Sequence, residues 1–205
     1  MPFALLGLAL AWGVMLVFGG LEFDRGLLIF AYVGRNPTLV EIARWVTELG
    51  DAEIVLLASF AGALLLARRR EWKQAGLLAT ITLSGRLLVE LQKDWAGRLR
   101  PDANEHLVHV TNLSFPSGHA ANAAMVWLCL ALLLPRSPRA RLYSIWAAAW
   151  VALAVGASRV MLGVHWPSDV IGGWAFGLFW LLLWLRLTGQ PLEEERQSVL
   201  PKDDR

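Results

Sequence analysis

Six predominantly apolar stretches, residues 3–20, 54–67, 75–91, 120–134, 142–157 and 170–187, alternate with short polar links along this chain. A helix needs about 20 apolar residues to cross ~30 Å of hydrocarbon, and a segment in lipid has to satisfy its backbone groups internally. Helix is therefore the conformation open to each stretch. The second and fourth are short by count and draw on their neighbours, Leu49 and Ala52 for one and the His119 end for the other. With 56% hydrophobic residues, eleven Trp and a mean hydropathy of +0.48, the chain is more apolar than a soluble domain needs. The fold class this predicts is all-α, a polytopic membrane helix bundle with six transmembrane helices. No internal repeat, linker or low-complexity run divides it, so one domain is expected over 1–189, followed by a polar, solvated tail at 190–205.

Charge placement predicts the orientation. Arg68, Arg69, Arg70 and Lys73 follow the second stretch, and Arg136, Arg139 and Arg141 follow the fourth. The positive-inside rule puts both links in the cytoplasm. Both termini then face the cytoplasm, and the links after the first, third and fifth stretches face outward. The first stretch is read as a retained span rather than a secretory signal, because no Lys or Arg precedes Arg25 and Phe18-Gly19-Gly20-Leu21 is a poor cleavage site. A net charge of +2 with topologically clustered basic residues gives no nucleic-acid surface. Cys129, the one cysteine, excludes an intrachain disulfide and reads as a small hydrophobe.

The first outer link is about thirty residues, too long to be structureless. Thr38-Leu39-Val40-Glu41 forms a capping box, and Leu39, Ile42, Ala43, Val46 and Leu49 share one stripe of the helix that would start there. Either a membrane-surface helix or one packed on the bundle satisfies that pattern.

Three polar clusters lie beside the apolar stretches, where ionisable groups are costly and mark function. They are Lys93 with Arg100-Pro101, then Pro116-Ser117-Gly118-His119, then Ser158-Arg159 with His165 and Asp169. By span parity all three reach the outer face, although the orientation was deduced from other links. His165 and Asp169 are four apart, and Pro167 between them is tolerated only in a first turn, so a helix should begin near Trp166 or Pro167. Asp169 can then accept a hydrogen bond from one ring nitrogen and leave the other free as a nucleophile; the plainer alternative is a helix-start aspartate beside an interfacial histidine. Ser117 and Gly118 open a helix whose free N–H groups suit an anion, with His119 placed to protonate a leaving oxygen; an ordinary Ser117 cap is the competing reading. Lys93, Arg100 and Arg159 serve as phosphate clamps or as snorkelling anchors.

In order and spacing these clusters resemble the type 2 phosphatidic acid phosphatase family: lysine, six residues, Arg-Pro; Pro-Ser-Gly-His; Ser-Arg, five residues, histidine, three residues, aspartate. The six-span layout is similar to the membrane lipid phosphatase branch, which includes bacterial phosphatidylglycerophosphatases and undecaprenyl pyrophosphate phosphatases. The resemblance implies His165 as a nucleophile forming a phosphohistidine, Asp169 as its orienting partner and His119 as general acid. It implies Lys93, Arg100, Arg159, Ser117 and the Gly118 N–H as phosphate ligands, and neither metal nor other cofactor. Arg98 falls outside the pattern and reads as a headgroup contact or anchor; His106 and His109 read as lid or surface residues.

Two other classes compete. Vanadium haloperoxidases share the cradle but are soluble, and a transporter could use Arg86 and Glu90. These two share a helical face with Lys93 at i, i+4 and i+7, which also suits the approach to a phosphate site or an internal ion pair. The expected partners are a lipid phosphate and the surrounding membrane lipids. Undecaprenyl pyrophosphate ranks first, then phosphatidylglycerophosphate or phosphatidic acid, with lipid A phosphates also admitted. The oligomeric state is not legible.

Overall fold

The computed structural model describes residues 1–189; the expected tail, 190–205, lies outside the described residues. Among the described residues the chain is all-helical, without strands. Its helices are α1 (Pro2–Phe18), α2 (Glu22–Ala31), α3 (Pro37–Glu48), α4 (Ala52–Arg68), α5 (Trp72–Ala96), α6 (Gly118–Leu133), α7 (Pro138–Met161) and α8 (Pro167–Leu187). Helix α6 contains one widened turn of π type at Ala123–Trp127.

All six expected segments are helical, but they differ in their fitness to cross a bilayer. Only α7 and α8 meet the length and apolarity of a span alone; α1 with α2, and α3 with α4, qualify as broken spans bent by 95° and 42°. The physical reason is length and charge. Helices α1 and α4 have 17 residues each, which at ~1.5 Å per residue reach about 25 Å. Helix α5 has 25 residues but carries Lys73, Arg86, Glu90, Lys93 and Asp94.

Helix α8 runs through the bundle, and its small residues set the packing. A Cβ built on Gly173 would stand 2.5 Å from the Ser117 carbonyl oxygen, and one on Gly177 would stand 2.6 Å from that of Ala121. The two backbones meet so closely only because these positions lack side chains, the small-residue mode of membrane helices. This contact draws the N-termini of α6 and α8 together, and the Ser117 N–H donates to the Asp169 carbonyl at 2.9 Å. Below it, Val55, Leu66, Leu78, Ile81, Met125 and Leu181 form a fully buried core from α4, α5, α6 and α8.

The link between α1 and α4 departs from expectation at both of its helices. Helix α3 starts at Pro37 rather than Thr38, because Asn36 is the cap and its side-chain oxygen accepts from the Leu39 N–H at 3.2 Å. Its stripe is divided: Ala43 packs against Leu162 and Val164, whereas Leu39 and Ile42 stay exposed. Helix α2 is not among the expected elements. It exposes Phe23, Leu27 and Phe30 and buries Asp24 and Leu28, so it is amphipathic. Together α2 and α3 brace the 97–117 connection: Tyr32 donates to the Glu105 carbonyl, and Arg44 donates twice to that of Leu107.

Candidate active site

Helix ends make the site. Helix α5 ends at Gly97, which caps it with φ 62°. Helix α6 starts behind Ser117, α7 ends just after Arg159, α8 starts at Pro167, and the α3–α4 turn closes over them. These ends surround a cavity of about 360 Å³ whose lining includes Lys93, Arg100, Gly118, His119, Arg159 and His165. Six of the eight residues expected from the sequence therefore meet around one space. The other two, Asp169 and Ser117, are fully buried outside its lining. The Ser117 Oγ serves as the helix cap, accepting from the Ala120 N–H at 3.5 Å, so its backbone environment rather than its hydroxyl borders the site.

His165 is oriented from both sides. Its Nε2 lies 3.1 Å from an Arg100 Nη1, and its Nδ1 lies 3.3 Å from both Asp169 Oδ2 and Ser114 Oγ. A guanidinium has only donors, so Nε2 is the accepting nitrogen and the proton sits on Nδ1, facing the carboxylate. Burial first, then the positive charges of Arg100, Arg159 and Lys93, holds this imidazole well below its ordinary value. The ring is neutral with its lone pair on the cavity side.

The cations are fixed by different means. Arg100 also donates to the carbonyls of Val164 at 2.6 Å and Asn112 at 2.8 Å. Arg159 donates to Thr47 Oγ1 at 2.9 Å, while its Nε is buried without a partner among the described residues. Lys93 pairs with Glu90 at 3.5 Å. His119 Nε2 stands 4.0 Å from Asp51 Oδ2, the carboxylate that also caps α4. The α3–α4 turn is itself tied to α6, with Asn122 donating to the Gly50 carbonyl and Trp127 to that of Leu49.

Several participants were not found from sequence. Arg98, expected as a headgroup contact or anchor, turns inward instead. It donates to Asp169 Oδ1 at 2.8 Å and Ser168 Oγ at 3.1 Å, and to the Met15 and Leu16 carbonyls, with its guanidinium 4.4 Å from the Phe115 ring centroid. Burial of Asp169 explains the correction: a dry carboxylate needs a counter-charge, and Arg98 is the cation within reach. Ser114 Oγ donates to the other carboxylate oxygen, Oδ2, as does the Trp166 N–H at 2.9 Å. Asp24 of α2 accepts from the Ser168 N–H at 2.9 Å and from its Oγ at 2.5 Å. His109 lines the cavity, whereas His106 is engaged with the Pro101 carbonyl.

A buried, carboxylate-held imidazole facing three cations and a second imidazole is equipped to capture a phosphoryl group. The chain is 37% identical to phosphatidylglycerophosphatase B of Bacillus subtilis, over 78% of this chain and 80% of that protein. It is 35% identical to a lipid A 1-phosphatase of Rhizobium etli, over 77% of this chain and 76% of the relative. The crystal structure of a transmembrane PAP2 type phosphatidylglycerolphosphate phosphatase from Bacillus subtilis superposes with a TM-score of 0.83 at 30% identity, covering 93% of this chain and 98% of that one. The family model described as the PAP2 superfamily matches residues 74–191, from the start of α5 past the end of α8, and so takes in every cluster at the cavity. By this match and these relatives the chain belongs to the PAP2 superfamily and is a phosphatase.

Proposed function

We propose that this membrane phosphatase hydrolyses a lipid phosphate at the extracytoplasmic face through a phosphohistidine on His165. The observation that carries this reading is the division of labour on one ring: Nδ1 is held by Asp169, and Nε2 meets the cavity beside Arg100. When phosphate enters, the Arg100 donor turns from Nε2 to a phosphate oxygen and frees the lone pair. Lys93, Arg159 and the Gly118 N–H take the remaining oxygens. Nε2 then attacks phosphorus, the bond to the leaving oxygen breaks, and His119 gives that oxygen a proton. Asp169 stabilises the positive charge that develops on the His165 ring. Water next attacks the phosphohistidine and passes a proton to His119; the P–N bond breaks, and inorganic phosphate leaves with both imidazoles restored.

Phosphatidylglycerophosphate is the first substrate to test, supported by the likeness in sequence and in structure to a Bacillus subtilis phosphatidylglycerophosphatase. Undecaprenyl pyrophosphate, ranked first from sequence, becomes the second reading, favoured by the additional cation Arg86 in the cavity lining. The decisive experiment is phosphate release from a panel of both lipids, phosphatidic acid and a lipid A phosphate in detergent, with acid-labile phosphate on the protein measured in parallel. Turnover that disappears in His165→Ala together with the labelled protein supports the mechanism. Undiminished labelling of His165→Ala rejects the nucleophile, and no release from any lipid rejects the substrate class.

A further inference from the structure

Arg86 lines the same cavity as the phosphate clamps but is not one of them. It precedes Lys93 by seven residues on α5, two helical turns and about 10 Å along the axis. Lys93 lies near the C-terminal end of this helix, so Arg86 sits further from the helix end, toward the interior of the membrane. Glu90, one turn away, would ordinarily pair with it, yet Glu90 is within 3.5 Å of Lys93 instead. Among the described residues Arg86 makes no hydrogen bond or ion pair. Glu48 and Asp51 line the cavity too, but neither is within ion-pair distance of it. A guanidinium without a counter-charge on a membrane helix is costly unless something anionic reaches it.

The substrate's own geometry supplies that anion. In a lipid carrying two phosphoryl groups, the terminal one is hydrolysed and the other lies between it and the hydrocarbon chain. With the terminal group at Lys93, Arg100 and Arg159, the second group is displaced along α5 toward the membrane interior, which is the direction of Arg86. We propose that Arg86 is the binding residue for a second phosphoryl group on the lipid side of the scissile phosphate. The site thereby selects substrates with two such groups, whether joined directly as a diphosphate or through a polyol as in a phosphodiester-linked monophosphate, over simple phosphatidic acid. This assignment rests on the lipid phosphatase reading above.

The test compares kcat/KM on phosphatidylglycerophosphate, a polyprenyl diphosphate and phosphatidic acid, for the wild type, Arg86→Gln and Arg86→Lys. A charge-assisted hydrogen bond to phosphate translates to about a tenfold to hundredfold change. Arg86→Gln should therefore lower the ratio of either two-phosphoryl substrate to phosphatidic acid by at least about tenfold, chiefly through KM, and Arg86→Lys should recover most of that ratio. A ratio that falls for one of the two substrates alone supports the site and assigns it to that linkage. Equal losses on all three lipids, or an unchanged ratio, overturn it. A wild type inactive on every lipid sinks the functional reading itself and is distinct from either result.

Discussion

Replacing Arg98 with Met isolates what the buried Asp169 needs in order to work. The Met side chain keeps apolar bulk near Phe115, but it removes four donated bonds: those to Asp169, Ser168 and the Met15 and Leu16 carbonyls. Asp169 has no exposed surface, and the Arg98 side chain is only 12% exposed, so solvent cannot stand in for the lost charge. Removing one partner of a buried ion pair costs about 3–5 kcal/mol. Asp169 escapes that cost by taking a proton, after which it no longer stabilises a positive His165 ring. On the proposed mechanism, at ~1.4 kcal/mol per decade, kcat falls by about two to three and a half decades. KM should change less than about threefold, because Arg98 does not line the cavity. The assay is steady-state turnover in detergent for Arg98→Met, Asp169→Asn and the double variant, with thermal unfolding confirming that each is folded. If Arg98 acts through Asp169, its loss in the Asp169→Asn background should cost only about threefold. Arg98→Met retaining half of its kcat while folded, or an equal loss in both backgrounds, would refute the argument.

Three further outcomes are expected. Because burial and then Arg100, Arg159 and Lys93 hold the His165 imidazole well below 6.5, inactivation by an imidazole-acylating reagent should not slow as pH falls from about 7.5 to about 6. Protonation sets in only below that window, and Arg100→Met should move the loss of reactivity upward; a wild-type midpoint at 6.5 would contradict the assignment. Gly173→Val should lower the melting temperature through overpacking of about 1–3 kcal/mol or more against the Ser117 carbonyl, whereas Gly7→Ala, whose Cβ meets nothing within 4 Å, should not; equal effects would reject the close-approach account. With Cys129 replaced, a cysteine at Asn104 should react in intact cells with a thiol reagent that does not cross the membrane, and one at Ser137 should not; the reverse would place the cavity on the cytoplasmic side.

What was legible in the sequence is whatever a short window can carry. Apolar runs located α1 and α4 to α8, since hydropathy is a local property, and the i, i+4 spacing of His165 and Asp169 across Pro167 located the start of α8. Each motif residue that lines the cavity was readable because it sits within four residues of a helix end, where polar residues stand out against lipid-facing neighbours. Helix α2 was missed because its ten residues include Glu22, Asp24, Arg25 and Gly26 and blur into a polar link, though Phe23, Leu27 and Phe30 held the amphipathic signal at i, i+4 and i+7. No local pattern could have revealed the supporting bonds. Arg98 meets Asp169 across 71 residues, Thr47 meets Arg159 across 112, and Asp24 meets Ser168 across 144. In each pair one member belongs to a motif cluster or adjoins one, and the other is an ordinary polar residue on a different element. On the proposed reading the motifs therefore specify what touches phosphate, and the charge requirement of a dry site explains the rest. A buried Asp169 demands a cation, a buried Arg159 demands an acceptor, and the segments that supply or brace them, α2 and α3, are the ones a span count passes over. The link between α1 and α4 is thus part of the framework around the candidate site, although the family match begins only at residue 74.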